Sequence, residues 1–343
     1  MQMGALAYFH LTNDTGGIYG RKIELKSRDD AYDPEQATNC FNRLVQDDVF
    51  AMGFFVGTPT AAKYLPLAQT TKIPVLGLFT GAQVLYEPFK HDIICVRASY
   101  FDEAREQVDA LWRERKVRKI GVIYQDDAFG KTVLEGVDHA LAKFDSAPVA
   151  LGTFARNTLD ISAAVKTVRE AKPEAVILVG PYAPVAAILK EAHSSHWSPL
   201  FLTVSFVGTE GLLRAAGQDA EGVIITQVVP PYDRTDLPAI QLYRTALVKY
   251  MSGTSPSYVS LEGFVDAMVL VEGLKAAGKD LTREKFITGI ESLHHFDLGL
   301  GPDFPLDFGP KDHKGFDSVY STVIRQGRAV VVSDWKTLRA DKN

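Results

Sequence analysis

Cysteine is scarce, long apolar runs are missing, and positive charge is in deficit. Cys40 and Cys95 are the only cysteines among 343 residues, too few for a disulfide scaffold or a four-cysteine zinc site. Their number allows one bridge. Cys40 falls in a helical pattern and Cys95 in a short apolar run, so two buried thiols are expected. No stretch reaches the roughly 18 apolar residues of a membrane span; the nearest, 175–189, is broken by Gly180, Pro181 and Pro184. Lys and Arg total 37 against 42 Asp and Glu, with a net charge of -5 and a pI near 5.9. A nucleic-acid partner would want a basic face. The one basic cluster, Arg113, Arg115, Lys116, Arg118 and Lys119, reads as a solvated helix end and loop ahead of a strand. Met1 leads into Gly4-Ala5-Leu6 without a charged start or cleavage site, so no signal peptide is visible, which leaves the compartment open.

Signatures of catalysis are also lacking. Phe129-Gly130-Lys131-Thr132 ends like a phosphate-binding loop, but Gln125 stands where the leading glycine belongs, so the amides cannot wrap a phosphate. Neither G-x-G-x-x-G nor G-x-S-x-G occurs. His193 and His196 have the spacing of ligands on one helical face, yet no cysteine or acid is placed with them, and Trp197-Ser198-Pro199 reads as a helix end. A surface pair is the expectation. His294-His295 sits in a loop-like segment and carries less weight still. Asp29-Asp30 and Asp126-Asp127 follow strands and precede helices, where capping explains them. The expectation is no enzyme, no metal and no cofactor.

What is present is alternation. Apolar, β-branched runs at 49–56, 73–78, 119–124, 175–180, 200–204 and 222–229 read as buried parallel strands. Helical patterns fit 34–47, 102–115, 128–143, 160–171, 183–193, 237–251 and 257–277. Asp33-Pro34 is an N-cap followed by proline at the first helical position, and Thr58-Pro59 repeats the device. Hydrophobic residues make up 46% and charged residues 23% of the chain, ordinary for soluble globular proteins and enough to bury two sizeable cores. The fold class expected is α/β, with doubly wound parallel-sheet lobes. Arg97-Ala98-Ser99-Tyr100 and Val229-Pro230-Pro231-Tyr232 are candidate crossings between lobes.

The turns after the strands hold the functional signal. They are Gly57-Thr58-Pro59-Thr60, Phe79-Thr80-Gly81, Asp126-Asp127-Ala128-Phe129, Pro181-Tyr182 and Ser205-Phe206. In a parallel sheet all lie at strand carboxyl ends, where ligands bind. Gly57 permits close backbone approach, Thr58 and Thr80 offer hydroxyls, and helix-start amides favour an anion. Phe79, Phe129, Tyr182 and Phe206 would supply apolar walls. Turn glycines, capping threonines and packed aromatics would explain any one turn alone.

Three segments carry a resemblance: Gly16-Gly17-Ile18-Tyr19-Gly20-Arg21-Lys22-Ile23-Glu24-Leu25 with Asp29-Asp30-Ala31-Tyr32-Asp33-Pro34, then Tyr124 through Gly130, then Pro256 through Gly263. Together with Gly57-Thr58-Pro59-Thr60, and in this order, the chain resembles the branched-chain amino-acid-binding proteins of ABC importers. The resemblance implies a type I periplasmic-binding-protein fold: lobe I of 1–98 plus 231–307, lobe II of 99–230 plus 308–343, a ligand cleft between them, and a third crossover near 307–316. It implies a monomeric, periplasmic receptor that closes on a small ligand and serves a membrane permease; the other use of such a fold is as a sensing domain of a signalling receptor. Lobe I would hold a carboxylate through Gly57, Thr58, Phe79, Thr80 and Gly81. Lobe II would close with Asp127, Phe129, Tyr182, Ser205 and Phe206. Three departures stand out. Family members begin with a strand and glycine-containing loop before the helix found here at Met1, which suggests a late start to the numbering. Tyr32 replaces a disulfide cysteine. Ser205 replaces the acid that meets a ligand's ammonium group, so a simple aliphatic or aromatic acid is as open as an amino acid.

Overall fold

The computed structural model describes residues 1–338. The chain forms two units: Met1–Ala98 with Val229–Ser318, and Ser99–Val228 with the chain from Val319 onward. In order, the first unit receives α1 (Gln2–Asp14), α2 (Pro34–Gln46), β1 (Met52–Gly53), α3 (Thr58–Thr71), β2 (Val75–Leu76) and β3 (Ile93–Ile94). The second takes α4 (Tyr100–Asp109), β4 (Ile120–Gln125), α5 (Ala128–Ala142), β5 (Ala150–Phe154), α6 (Ser162–Glu170), β6 (Ala175–Val179), α7 (Tyr182–Ser194), β7 (Leu200–Thr203), α8 (Thr209–Ala216) and β8 (Ile224–Gln227). The chain then returns for α9 (Pro238–Tyr250), α10 (Tyr258–Ala277) and α11 (Arg283–Glu291), and adds β9 (Tyr320–Arg325) and β10 (Arg328–Val331) to the second unit.

In the first unit β1, β2 and β3 pair in parallel. The apolar run 49–56 predicts a longer strand than the two residues found. Phe54 has φ +62°, a left-handed conformation that stops a strand, and pairing resumes only at the Val56–Phe79 bridge. Asp33 caps α2 through Glu35 and Gln36 N–H, both at 3.0 Å, with Pro34 at the first helical position; such a cap contributes about 1 kcal/mol. The apolar stripe of α2 (Ala37, Phe41, Leu44) then packs with Ala61, Tyr64 and Leu65 of α3 over Met52, Val75 and Ile93. Phe41 and Tyr64 stack with centroids 5.8 Å apart.

The second unit has a seven-stranded sheet in the order β10-β9-β8-β7-β6-β4-β5. Five strands are parallel, but β9 runs antiparallel to β8, and β10 to β9. This departs from the all-parallel expectation. Gln326 and Gly327, at φ +49° and +72°, make the two-residue turn that suits a hairpin. One sheet face sends Ile123, Val176, Leu178 and Ile225 against α6, α7 and α8; α4 and α5 pack against β8 and β4.

The chain changes unit at Ala98/Ser99, Val228/Val229 and Ser318/Val319. At the first change Ser99 and Asp102 form a reciprocal capping box that starts α4 at once. Residues 308–318, expected in lobe II, belong to the first unit. They lie alongside β3: Cys95 N–H donates to the His313 carbonyl at 2.8 Å, and Gly315 and Phe316 N–H donate to the carbonyls of Cys95 and Val96 at 2.7 and 2.9 Å. Cys40 and Cys95 are both free thiols; Cys95 is buried, whereas Cys40 is only half-buried. No helix of the described residues is long and apolar enough to cross a membrane.

Candidate functional site

In the first unit Gly57, rather than Thr58, is the N-cap of α3, with φ +95°, and no side chain caps that helix. This corrects the expected capping role of Thr58. Its hydroxyl lies 2.7 Å from that of Thr80, both residues being buried. One hydroxyl donates to the other, and the acceptor keeps its own hydrogen for a further partner. The strand pairing brings them together: Gly57 N–H donates to the Phe79 carbonyl at 3.1 Å, which sets the two turns side by side. A Cβ on Gly57 would lie 2.1 Å from the Tyr32 ring, so the space that glycine opens is used by Tyr32. Phe79 is buried beneath the Arg97 guanidinium, 5.6 Å from its ring centroid, and Arg97 is itself buried in an ion pair with Glu262 at 3.0 Å. Gly81 is buried beside them in sequence. Thus Thr58 and Thr80 meet at an uncapped helix start whose amides favour negative charge.

In the second unit Asp127, Phe129, Tyr182, Ser205 and Phe206 all follow the carboxyl ends of β4, β6 and β7. Several are already engaged. Asp127 Oδ1 accepts from Phe129 and Gly130 N–H at 2.9 and 3.3 Å, and Oδ2 from Gln125 at 2.6 Å; burial nevertheless pushes its carboxyl above the usual range. Phe129 has no exposure and packs on Tyr100 and Phe206, centroids 5.3 and 4.6 Å away. It is core rather than open wall. Tyr182 is exposed, its ring over Gly211. Ser205 donates through its amide and hydroxyl to Glu103, at 2.7 and 2.9 Å, and Thr226 donates to the same carboxylate at 2.6 Å.

The periplasmic binding protein family profile matches residues 1–329. The chain belongs to that family. A Leu/Ile/Val-binding protein homolog from Brucella melitensis is 25% identical over 292 residues, covering 81% of this chain and 74% of the relative. A possible leucine/isoleucine/valine-binding protein from Rhodopirellula baltica superposes with a TM-score of 0.93 at 33% identity, covering 98% of this chain and 92% of the other. A branched-chain amino-acid ABC transporter protein from Thermus thermophilus, solved with bound valine, gives a TM-score of 0.86 at 22% identity over 96% of this chain and 90% of its own, a likeness of fold.

Knowing the family sharpens what the sequence reading missed in this periplasmic binding protein. Glu103 lies 102 positions from Ser205, and one acid among the four of α4 gives no local sign of burial. Tyr32, Arg97 and Glu262 are likewise joined to the turns only by folding. Two of the cavities that lie inside single units involve none of the predicted ligand-binding residues. One, of about 810 Å³, is lined by His193, Trp197, Phe201, Leu213, Asp219 and Glu221 at the amino ends of β7 and β8. The other, of about 350 Å³, is an apolar groove between residues 22–26 and β1. His193 pairs with Asp219 at 3.1 Å. His294 and His295 meet Asp307, and this is the one group of metal-ligating type among the described residues, a partner that adjacency in sequence did not reveal.

Proposed function

We propose that this chain is the solute-binding component of an ABC importer: an extracytoplasmic, monomeric receptor that closes its two units on a small carboxylate-bearing ligand, passes it to a membrane permease, and catalyses nothing. The carrying observation is the Thr58–Thr80 hydroxyl pair at the uncapped start of α3. Hydroxyl donors and a helix amino terminus combine there, which is what a carboxylate requires. Gly57, Phe79 and Gly81 frame this anchor, and the turns bearing Asp127, Phe129, Tyr182, Ser205 and Phe206 are the second unit's share. The cavity beside Asp219 and Glu221 is acidic and suits an anion poorly.

The relatives' names favour a branched-chain amino acid. Against an ammonium group stands Glu103, whose oxygens already accept from Ser205 and Thr226. A matched pair of probes separates the two cases: L-leucine and 4-methylpentanoate share a carboxylate and branched chain and differ in the ammonium. Calorimetric titration of both, with mass spectrometry of whatever denaturation releases from purified protein, tests the reading. Saturable binding of either, with compaction in small-angle scattering, supports it. A released ligand without an acidic group, with neither probe binding, would overturn it.

A further inference from the structure

His294 and His295 are neighbours in sequence, yet both rings face one carboxylate. In an extended strand consecutive side chains point to opposite faces. His295 escapes that rule through its left-handed backbone, φ +47°. The rings lie 4.1 Å apart, centroid to centroid, tilted by 37°. His294 Nδ1 contacts Asp307 Oδ1, and His295 Nδ1 is 3.7 Å from Asp307 Oδ2.

The scaffold beneath this trio is pinned. Phe296 and Leu306 exchange backbone hydrogen bonds of 2.8 and 3.1 Å, Phe308 N–H donates to the Leu293 carbonyl at 3.0 Å, and His295 N–H donates to Asp307 Oδ1 at 3.1 Å. Leu293, Leu306 and Phe308 are buried. They anchor the ribbon from below, while the two imidazoles and the carboxylate stand on its outer side.

One ligand atom from each residue falls within 4.8 Å of the others. Atoms sharing one ion at about 2.0–2.2 Å stand about 3.4 Å apart in a tetrahedral site. Closing the difference takes roughly an ångström of movement, chiefly in the two exposed imidazoles. Two imidazole nitrogens and a carboxylate favour zinc-class ions over magnesium or calcium. Exposure leaves the remaining coordination positions to water. We propose that His294, His295 and Asp307 form a binding site for a divalent transition-metal ion of the zinc class, which clips the 293–308 ribbon shut.

The test uses the full chain, free of any polyhistidine tag and stripped with chelator. Zn2+ is titrated calorimetrically, and Co2+ is followed by its visible absorption. Wild type should bind one ion and melt at a higher temperature in its presence. H294Q, H295Q and D307N should each weaken binding by about 10-fold or more; H294Q and H295Q should melt like wild type without the ion, because both rings are exposed, whereas D307N alters a half-buried carboxylate that accepts the His295 N–H and is read by its binding. If any variant loses stability, the other two still report. Absence of saturable Zn2+ binding would overturn the proposal. So would binding undiminished in H294Q/H295Q, which would place the ion elsewhere, as on His193 and His196.

Discussion

Replacing Thr80 with valine removes one hydroxyl and keeps the shape of the side chain. Thr58 and Thr80 are 3% and 0% exposed, with their oxygens 2.7 Å apart, so the change strands the Thr58 hydroxyl. A buried polar group without its partner costs about 1–3 kcal/mol, and Thr80→Val should lose about that much in denaturant unfolding without ligand. Ala82 N–H, which donates to Thr80 Oγ1 at 3.3 Å, adds a smaller loss. Thr58→Val/Thr80→Val removes both hydroxyls together and should cost less than the sum of the singles, with a coupling of roughly 0.5–3 kcal/mol. Binding gives the second readout. A hydrogen bond to a charged group contributes roughly 1.5–3 kcal/mol, so Kd for a carboxylate ligand should rise roughly 10- to 150-fold. Calorimetry on folded Thr80→Val, at a temperature well below its melting point, separates affinity from stability. Unchanged affinity would place the anchor elsewhere; additive single and double variants would refute the hydroxyl pairing itself.

Glu103→Gln puts an NH2 where three donors from Ser205 and Thr226 converge; a loss of about 2 kcal/mol or more in unfolding free energy is expected, and a melting temperature equal to wild type would contradict the network. Cys95, pushed up to about 12 by burial, stays protonated at pH 8, so a thiol reagent should modify Cys40 in native protein and both thiols only after denaturation, with fewer than two thiols under non-reducing denaturing conditions counting against free cysteines. Asp266 has its carboxyl held well above the usual range, first by burial and then by the Glu262 charge. Its contribution to stability is therefore complete below the unfolded value of about 3.9 and declines as pH rises through the folded one. Denaturant midpoints of Asp266→Asn should gain on wild type as pH rises from 4 to 8; a wild type that gains on the variant instead would mean that Asp266 ionises at a profit, through a neighbour such as Arg97.

Much of this protein was readable along the chain. Strand–helix alternation carried the α/β class, since a 3.6-residue and a continuous apolar pattern each bury one kind of element. The Asp33-Pro34 cap depends on neighbours a few residues away, and that is why it was legible. The first two changes of unit were visible as strand ends followed by helix or proline signals. Other decisions belong to the tertiary structure. Phe54 and Gly77 take left-handed conformations that end β1 and β2 early, and no periodicity announces a backbone sign change. The third change lies at Ser318 rather than near 307–316, because residues 313–316 bond to Cys95 and Val96 just past β3, more than 200 positions earlier. Within the candidate site, residue types at strand ends were evident, but their employment was not. Thr58 turns to Thr80, Gly57 makes room for Tyr32, Phe129 sinks into the core, and Ser205 is held by Glu103. Each outcome is a contact between side chains distant in sequence, set by strand register and helix packing. A sequence written in one dimension records which donors and acceptors exist; only the folded chain decides which of them spend themselves on each other and which stay available to a ligand.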